Sequence, residues 1–571
     1  MFGLLPADFS VLVFYLIGIA AIGIWAGRGA KSTGEFFMPR RFGKLMMVMN
    51  AFGTGTASDQ AVTVASGTAR SGLSGIWYQW LWLFVTPFYW LIAPLFRRFR
   101  AVTTADVYEL RFDRSVAGLF AVVGMASLAV KTGLLLKGTG ALVAACTGGA
   151  VPANAAITVT ALLFLIYGTA GGLSGAIVTD SIQGVLTLVF SFMLLPFVLG
   201  EAGGVAGVRE TIDNPAMLSL VAPGKITLFF VAMMSVQALV GIVAQPFIMG
   251  VAGAGKTEME GRVGMVFGNI IKRFCTMAWS VTAIAGVAWY MQQGEARGEI
   301  VPDELYGNLA QSFLPRLMPG ALGLFLAAML AAVMSSCDAY MLSSAALFTQ
   351  NIYRPFIRAK GEGHYLLVGR ITGVALVVFG IAFAFWVPNV IKALEIWFMI
   401  APMMGIAFWL GLVWRRLTVA GAWASTLTGF GVWFLTTRPG VVGAVAGLPF
   451  ADRLKLIWIE RGVEVIHMPW QIAAYMAGAL IAGVGVSLFT RPVTEEKLAR
   501  FYNLARTRVR PGEKLEVPCR LPEGVEPARR KMLVTAFGLE IPAPSSISVW
   551  GFAMGWAIVG AMIFGFWWLW R

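Results

Sequence analysis

The sequence predicts an all-α polytopic membrane protein with about fourteen transmembrane segments, whose core is a five-plus-five inverted repeat with broken helices. Three observations carry that prediction. Of 571 residues, 58% are hydrophobic and 13% are charged, whereas a soluble domain carries roughly 25% charged residues. The apolar residues come in runs long enough to cross a hydrocarbon core, which takes about 20 residues. Two of those runs, five segments apart, contain their own helix breakers, and paired broken helices point to a binding site at the membrane midplane.

Apolar runs lie near 8–26, 45–69, 73–96, 116–146, 154–173, 176–199, 226–250, 274–291, 319–348, 366–387, 391–413, 418–436, 470–489 and 547–569. Alternate connections are basic: Arg28, Lys31, Arg40, Arg41 and Lys44 follow the first run; Arg97, Arg98, Arg100, Arg111 and Arg114 the third; Lys256, Arg262, Lys272 and Arg273 the seventh. Arg354, Arg358 and Lys360 follow the ninth, and Arg415 and Arg416 the eleventh. Basic loops stay in the cytoplasm, so both termini are expected outside. The expected organisation is an extra segment and loop at 1–44, the repeat core at 45–437, and C-terminal segments at 438–571. The last part includes a basic cytoplasmic loop at 490–546. That loop opens as an amphipathic helix expected to lie against headgroups and continues as a Pro/Glu-rich linker.

Composition also excludes. The net charge of +15 falls mostly in short inter-segment loops, so it sets orientation and no nucleic-acid partner is expected. Cys146, Cys275, Cys337 and Cys519 are scattered, and His364 and His467 lie in loops. No disulfide framework, metal site or catalytic constellation is expected. No protein partner is required by any motif, and the bilayer itself is the expected surrounding of a multi-pass cell-membrane protein. A cleavable signal is not expected, because the first run is long and lacks a basic flank before it.

The second run holds NAFGTGTASDQ, residues 50–60, and the seventh holds ALVGIVAQPFIMG, residues 238–250. Gly costs about 1 kcal/mol inside a helix and Pro about 3, so both runs are expected to unwind or kink there. The ninth run places Ser335, Ser336, Asp338, Ser343 and Ser344 inside a span. Polar groups in hydrocarbon face a protein-lined or watery interior and mark function.

The Ser-Ser helix running into the Asn-Ile-Tyr-Arg turn, residues 329–355, resembles the sodium:solute symporter family. FFMPRRFGKLMM at 36–47, TTADVYELRF at 103–112, GGLSGAIVTDSIQG at 171–184, GKTEMEGRVG at 255–264 and LGLVWRR at 410–416 are similar to that family's motifs, in its order. The resemblance implies a symporter, not an enzyme, with Na⁺ as coupling ion and no cofactor. It would import a small polar organic solute by alternating access. It further implies a sodium site made by the carbonyls of Gly53, Thr56 and Ala332 with the hydroxyls of Ser335 and Ser336. Positions 332, 335 and 336 share one helical face. A second ion is implied between Asp180 and Asp338. Gln60 and Lys131 resemble positions of the sugar carriers, although Leu394 replaces a Gln found there. Asp59, a candidate partner for Lys131, joins Gln245 and the aromatic residues Trp80 and Trp397 as candidate solute contacts. Alternatives are the same carrier driven by protons through Asp59 or Asp180, a membrane sensor, and a membrane-embedded enzyme.

Overall fold

The computed structural model describes residues 2–27, 40–222, 226–294, 299–358, 360–460, 462–510, 512–513 and 517–571, without the side chains of 20, 23, 24, 26, 27, 166–178 and 181. Arg28, Lys31 and residues 36–39 of the sequence motifs lie outside that description. Helices dominate: α1 (Pro6–Gly27), α2 (Lys44–Gly55), α3 (Ser58–Ser71), α4 (Thr86–Arg98), α5 (Thr104–Arg111), α6 (Arg114–Cys146) and α7 (Ala153–Met193) come first. Then follow α8 (Leu228–Ile242), α9 (Pro246–Gly253), α10 (Glu258–Gln292), α11 (Leu305–Leu317), α12 (Ala321–Ala346), α13 (Glu362–Trp386) and α14 (Val390–Val413). The chain closes with α15 (Val419–Thr436), α16 (Met468–Phe489), α17 (Glu495–Arg506) and α18 (Ser546–Leu569).

Both expected breaks are present. Extended Thr56 and Ala57 separate α2 from α3, and a bend of 69° separates α8 from α9. The fourteen-segment count is not reproduced. Among the described residues, nine helices are long and apolar enough to cross a membrane, ten if the bent pair is one span. Ser58–Arg98 forms one long helical run where two were expected, and the run expected at 154–173 and most of that at 176–199 belong to α7. Helix α1, 22 residues long, and the first part of α7 count only over their described side chains, as the shorter apolar helices Pro6–Ile19 and Ala153–Leu165. Gly307 packs on Ala145 and Leu142 just before α7, and Gln292 Nε2 donates to Ala202 O at 3.3 Å just after it.

Helix starts follow their caps. Thr257 and Glu260 form a capping box that begins α10 at Glu258, well before the run expected from 274. Reciprocal capping satisfies donors that a helix N-terminus otherwise leaves bare. Lys272 and Arg273, read in the sequence as loop charges, thus stand in the middle of a 35-residue helix. Thr103 and Asp106 form a second capping box at α5.

Near the chain ends, Gly3 packs on Thr147 and Arg209 Nη2 donates to Leu569 O at 3.1 Å. Elsewhere a collar of arginines is held by Glu258 and by the 490–546 segment. Arg98 pairs with Glu258 at 2.6 Å. Arg100 grips Glu513 through two hydrogen bonds of 2.6 and 2.9 Å, and Arg506 and Arg415 meet Glu540. The amphipathic helix α17 does not face outward to lipid as the sequence suggested. Its apolar side is buried against the protein, with Phe501 stacked on Phe99 at 5.1 Å and Tyr502 donating to Gly411 O at 3.1 Å. Nor is the rest a bare linker: Met532–Ala536 and Leu539–Pro542 pair as a hairpin, from which Gly538 O accepts the amide of Arg415 at 2.8 Å.

The collar gives a pH-dependent stability. Burial alone would raise the Glu513 carboxyl, but the hydrogen bonds and charge of Arg100 outweigh it and hold the group below its usual value. A depressed carboxylate stabilises the fold above its unfolded pKa, and that contribution disappears as pH falls through the folded one. Breaking a buried pair by removing one charge costs about 3–5 kcal/mol. Glu513→Gln is expected to lower the thermal midpoint at neutral pH, with the gap to the parent closing as pH falls below about 4. A gap independent of pH would show that the charge of Glu513 contributes nothing.

Candidate functional site

The last carbonyls of α2 have no helical donor four residues on, because the chain turns extended at Thr56. Gly53-Thr54-Gly55-Thr56 permits this, since Gly weakens the helix at two of four positions. The N–H of Thr56 turns back to Gly53 O at 3.1 Å, and the remaining acceptors are met by side chains from the adjoining helix α3 and from distant helices.

On one side of the break stands a buried cluster of oxygens. Ser336 Oγ of α12 donates to Thr54 O at 3.0 Å and lies 3.5 Å from Gly53 O. Ser335 Oγ donates to Asp180 Oδ1, and Thr54 Oγ1 donates to Asp180 Oδ2 at 3.2 Å. Gly53 allows the approach of α7: a Cβ there would lie 3.2 Å from Asp180 O. Ala332 is buried one turn before the serines. The hydroxyl of Thr56 is buried without a hydrogen-bond partner. Asp180 has both carboxylate oxygens bonded, to Thr54 and to Ser335. Asp338 is buried three residues beyond Ser335 on α12. Two backbone carbonyls, two serine hydroxyls and a carboxylate form the donor set that a small hard cation prefers.

On the other side lies a cavity of about 50 Å³, room for a few waters at most. A solute enters only when its walls part. Gly55 O accepts Gln60 Nε2 at 2.6 Å and the Lys272 ammonium. Lys131 pairs with Asp59 at 3.2 Å and lies over the Trp397 ring, 4.4 Å from its centroid. Gly138 makes that pairing reachable. It brings α6 so near the break that a Cβ would fall 2.6 Å from Asp59 Cα, and Lys131, seven residues earlier, projects from the same face. Gln60, Lys131, Gln245 and Trp397 all line the cavity.

Two expectations change. Trp80 does not line the cavity: its indole donates to Arg273 O at 3.2 Å and its ring packs on Phe566, while Trp82 takes the wall position. Lys272, Arg273 and Asn269 of α10 and Tyr340 of α12 also line the cavity and were missed. The signal was available for Lys272 and Arg273, since apolar residues continue on both sides of them and Thr257 with Glu260 announces an earlier helix start.

A membrane-spanning helical protein with two broken helices, an oxygen cluster at one break and a cavity beside it is built as an ion-coupled carrier. Comparison with known proteins makes the class specific. The sequence model of the sodium:solute symporter family matches residues 36–429, and the chain belongs to that family. It is similar to the sodium/glucose cotransporter of Vibrio parahaemolyticus, 26% identical over 80% of this chain and 86% of the relative. The osmoregulated proline transporter of Bacillus subtilis (strain 168) is 25% identical over 84% and 94%. The sodium/pantothenate symporter of Escherichia coli (strain K12) is 25% identical over 73% and 88%. A Na⁺-coupled sialic acid symporter in a substrate-bound outward-open state has the same fold, with TM-score 0.69 over 86% of this chain and 99% of that one at 16% identity. The chain is thus a membrane transporter and not an enzyme, and Na⁺ is its coupling ion.

The Lys131–Asp59 pair is open to a direct check. Lys131→Met strands a buried carboxylate, which costs about 3–5 kcal/mol. It is expected to lower the thermal midpoint in detergent, and adding Asp59→Asn should restore most of the loss. Equal destabilisation in the single and double variants would contradict the pairing.

Proposed function

We propose that this protein imports a small polar organic solute with sodium across the cell membrane by alternating access. The observation that carries the reading is the convergence of Gly53 O, Thr54 O, Ser335, Ser336 and Asp180 at the break in α2–α3. Sodium sits among these oxygens, with the carbonyls of Thr56 and Ala332 completing its shell. Filling the cluster replaces the bonds between Ser335 and Asp180 and between Ser336 and Thr54, so the ion holds α2, α7 and α12 together. The solute occupies the neighbouring cavity, against Gln60, Lys131, Gln245 and Trp397, with Asp59 acting through Lys131. Repeat core 45–437 carries the transport, while 1–44 and 438–571 frame it. Because Thr54 and Ser335 engage both oxygens of Asp180, we count its carboxylate with this site; a further ion at Asp338 would have to share it.

Ser336→Ala removes one oxygen from the cluster. Losing a partner of a buried polar group costs roughly 1–3 kcal/mol, so the sodium concentration for half-maximal uptake in proteoliposomes should rise about 5- to 150-fold at unchanged protein abundance. Asp180→Asn should raise it at least as far. Unchanged sodium dependence in both variants would remove these residues from the site.

The arginine-rich face is taken as cytoplasmic and both termini as outside. Glu496 is exposed on α17. In a background with Cys146, Cys275, Cys337 and Cys519 replaced, Glu496→Cys should resist an impermeant thiol reagent in intact right-side-out cells and react after permeabilisation. Labelling of intact cells would reverse the orientation.

A further inference from the structure

We infer that the solute is a small organic carboxylate whose anionic group is held between Lys272 and Arg273; this rests on the proposal that the cavity is the solute site. The charge balance of the cavity carries the inference. Its lining includes Lys131, Lys272 and Arg273 and no Asp or Glu. Lys131 is balanced by Asp59 behind it. Among the described residues, no ion pair is made by Lys272 or Arg273: the first donates to Gly55 O and the second to Gln79 O.

Carbonyls are dipoles and do not neutralise a cation. A buried guanidinium without a counter-ion is costly, and Arg273 faces the same small space as the Lys272 amine, which an entering anion would keep protonated. Arg273 is fully buried, and its Nε has no partner. A guanidinium keeps its charge throughout and presents a planar fork that matches a carboxylate. A cationic solute would be repelled here, and a neutral one would leave the guanidinium unbalanced.

The rest of the lining says what the anion is attached to. Trp82, Tyr89, Phe247, Tyr340 and Trp397 contribute ring surfaces to the cavity, so an apolar body suits it better than a polyol. Gln60 Oε1 is buried without a hydrogen-bond partner and is available to a hydroxyl or amide on the solute.

The same arrangement accounts for coupling. The oxygen cluster uses Gly53 and Thr54, and the cavity uses Gly55, the next residue along the break. A sodium ion on one side and a carboxylate on the other attract across a single turn of backbone. Each then favours the other's binding by the same factor.

The test uses the full-length protein in proteoliposomes with labelled acetate, lactate and benzoate beside labelled glucose and proline, in sodium or choline buffer. Matched competitors, lactamide and benzamide, replace the carboxylate by a neutral isostere. Expected is sodium-driven accumulation of at least one carboxylate, with its amide competing at least about tenfold more weakly, the scale of one lost charge-assisted contact. Lys272→Gln or Arg273→Gln should raise half-saturation by at least a similar factor, with Arg273→Lys intermediate. The isostere comparison on the parent protein decides the matter if those variants fail to fold. Sodium-driven accumulation of a neutral solute, unaffected by every carboxylate, overturns the carboxylate assignment and leaves sodium coupling intact. Failure of every carboxylate to be carried also overturns it. Carboxylate uptake that is equal in choline keeps the assignment and overturns the sodium-coupled reading.

Discussion

A helix that ends in the middle of a membrane leaves carbonyls that water cannot reach, and in hydrocarbon every such group must find a partner. The end of α2 is that place. Its acceptors at Gly53, Thr54 and Gly55 draw in Ser336 from α12, Gln60 from α3 and Lys272 from α10. Asp180 of α7 joins through Thr54 and Ser335. Three helices distant in sequence, and the neighbouring α3, are therefore fixed around three residues. The ion cluster and the cavity are the two sides of one interruption in backbone hydrogen bonding.

That origin explains how a carrier can be both specific and mobile. An intact helix would satisfy its carbonyls internally and offer nothing to an ion. A break satisfied only by side chains can exchange those bonds for bonds to a ligand at little net cost, because the partners are already oriented and dry. The adjacent positions of Thr54 and Gly55 put ion and solute on a common stretch of chain, so ordering that stretch for one prepares it for the other.

Local chemistry was legible in the sequence and long-range partnership was not. The breaks at 53–57 and 243–246 follow from Gly and Pro, whose effects act within a turn, and the serines of α12 stood out because hydroxyls in an apolar run need a reason. The partner of Ser335 was not visible there: Asp180 and Ser335 lie 155 residues apart, and no local pattern joins them. Trp82 takes the wall position expected of Trp80 in a stretch, Gly72–Leu83, where 3₁₀ turns alternate with a single α turn, so side-chain directions there do not follow one helical period. Lys272 and Arg273 were assigned to a loop because basic pairs usually flank spans, and an apolar stretch with a charge in it scores poorly as membrane. The apolar face of α17 was visible, but an amphipathic pattern cannot distinguish lipid from protein as the surface that covers it.

The central claim is that sodium binds the oxygens at the break, and binding to the native state alone raises thermal stability in proportion to the logarithm of ligand concentration. The most direct measurement is the unfolding midpoint of the purified protein in rising NaCl against KCl at constant ionic strength, for the parent and for Ser335→Ala/Ser336→Ala. The account predicts a sodium-specific rise in the parent that is largely lost in the double variant. An equal rise in potassium, or an undiminished sodium rise in the double variant, would contradict it.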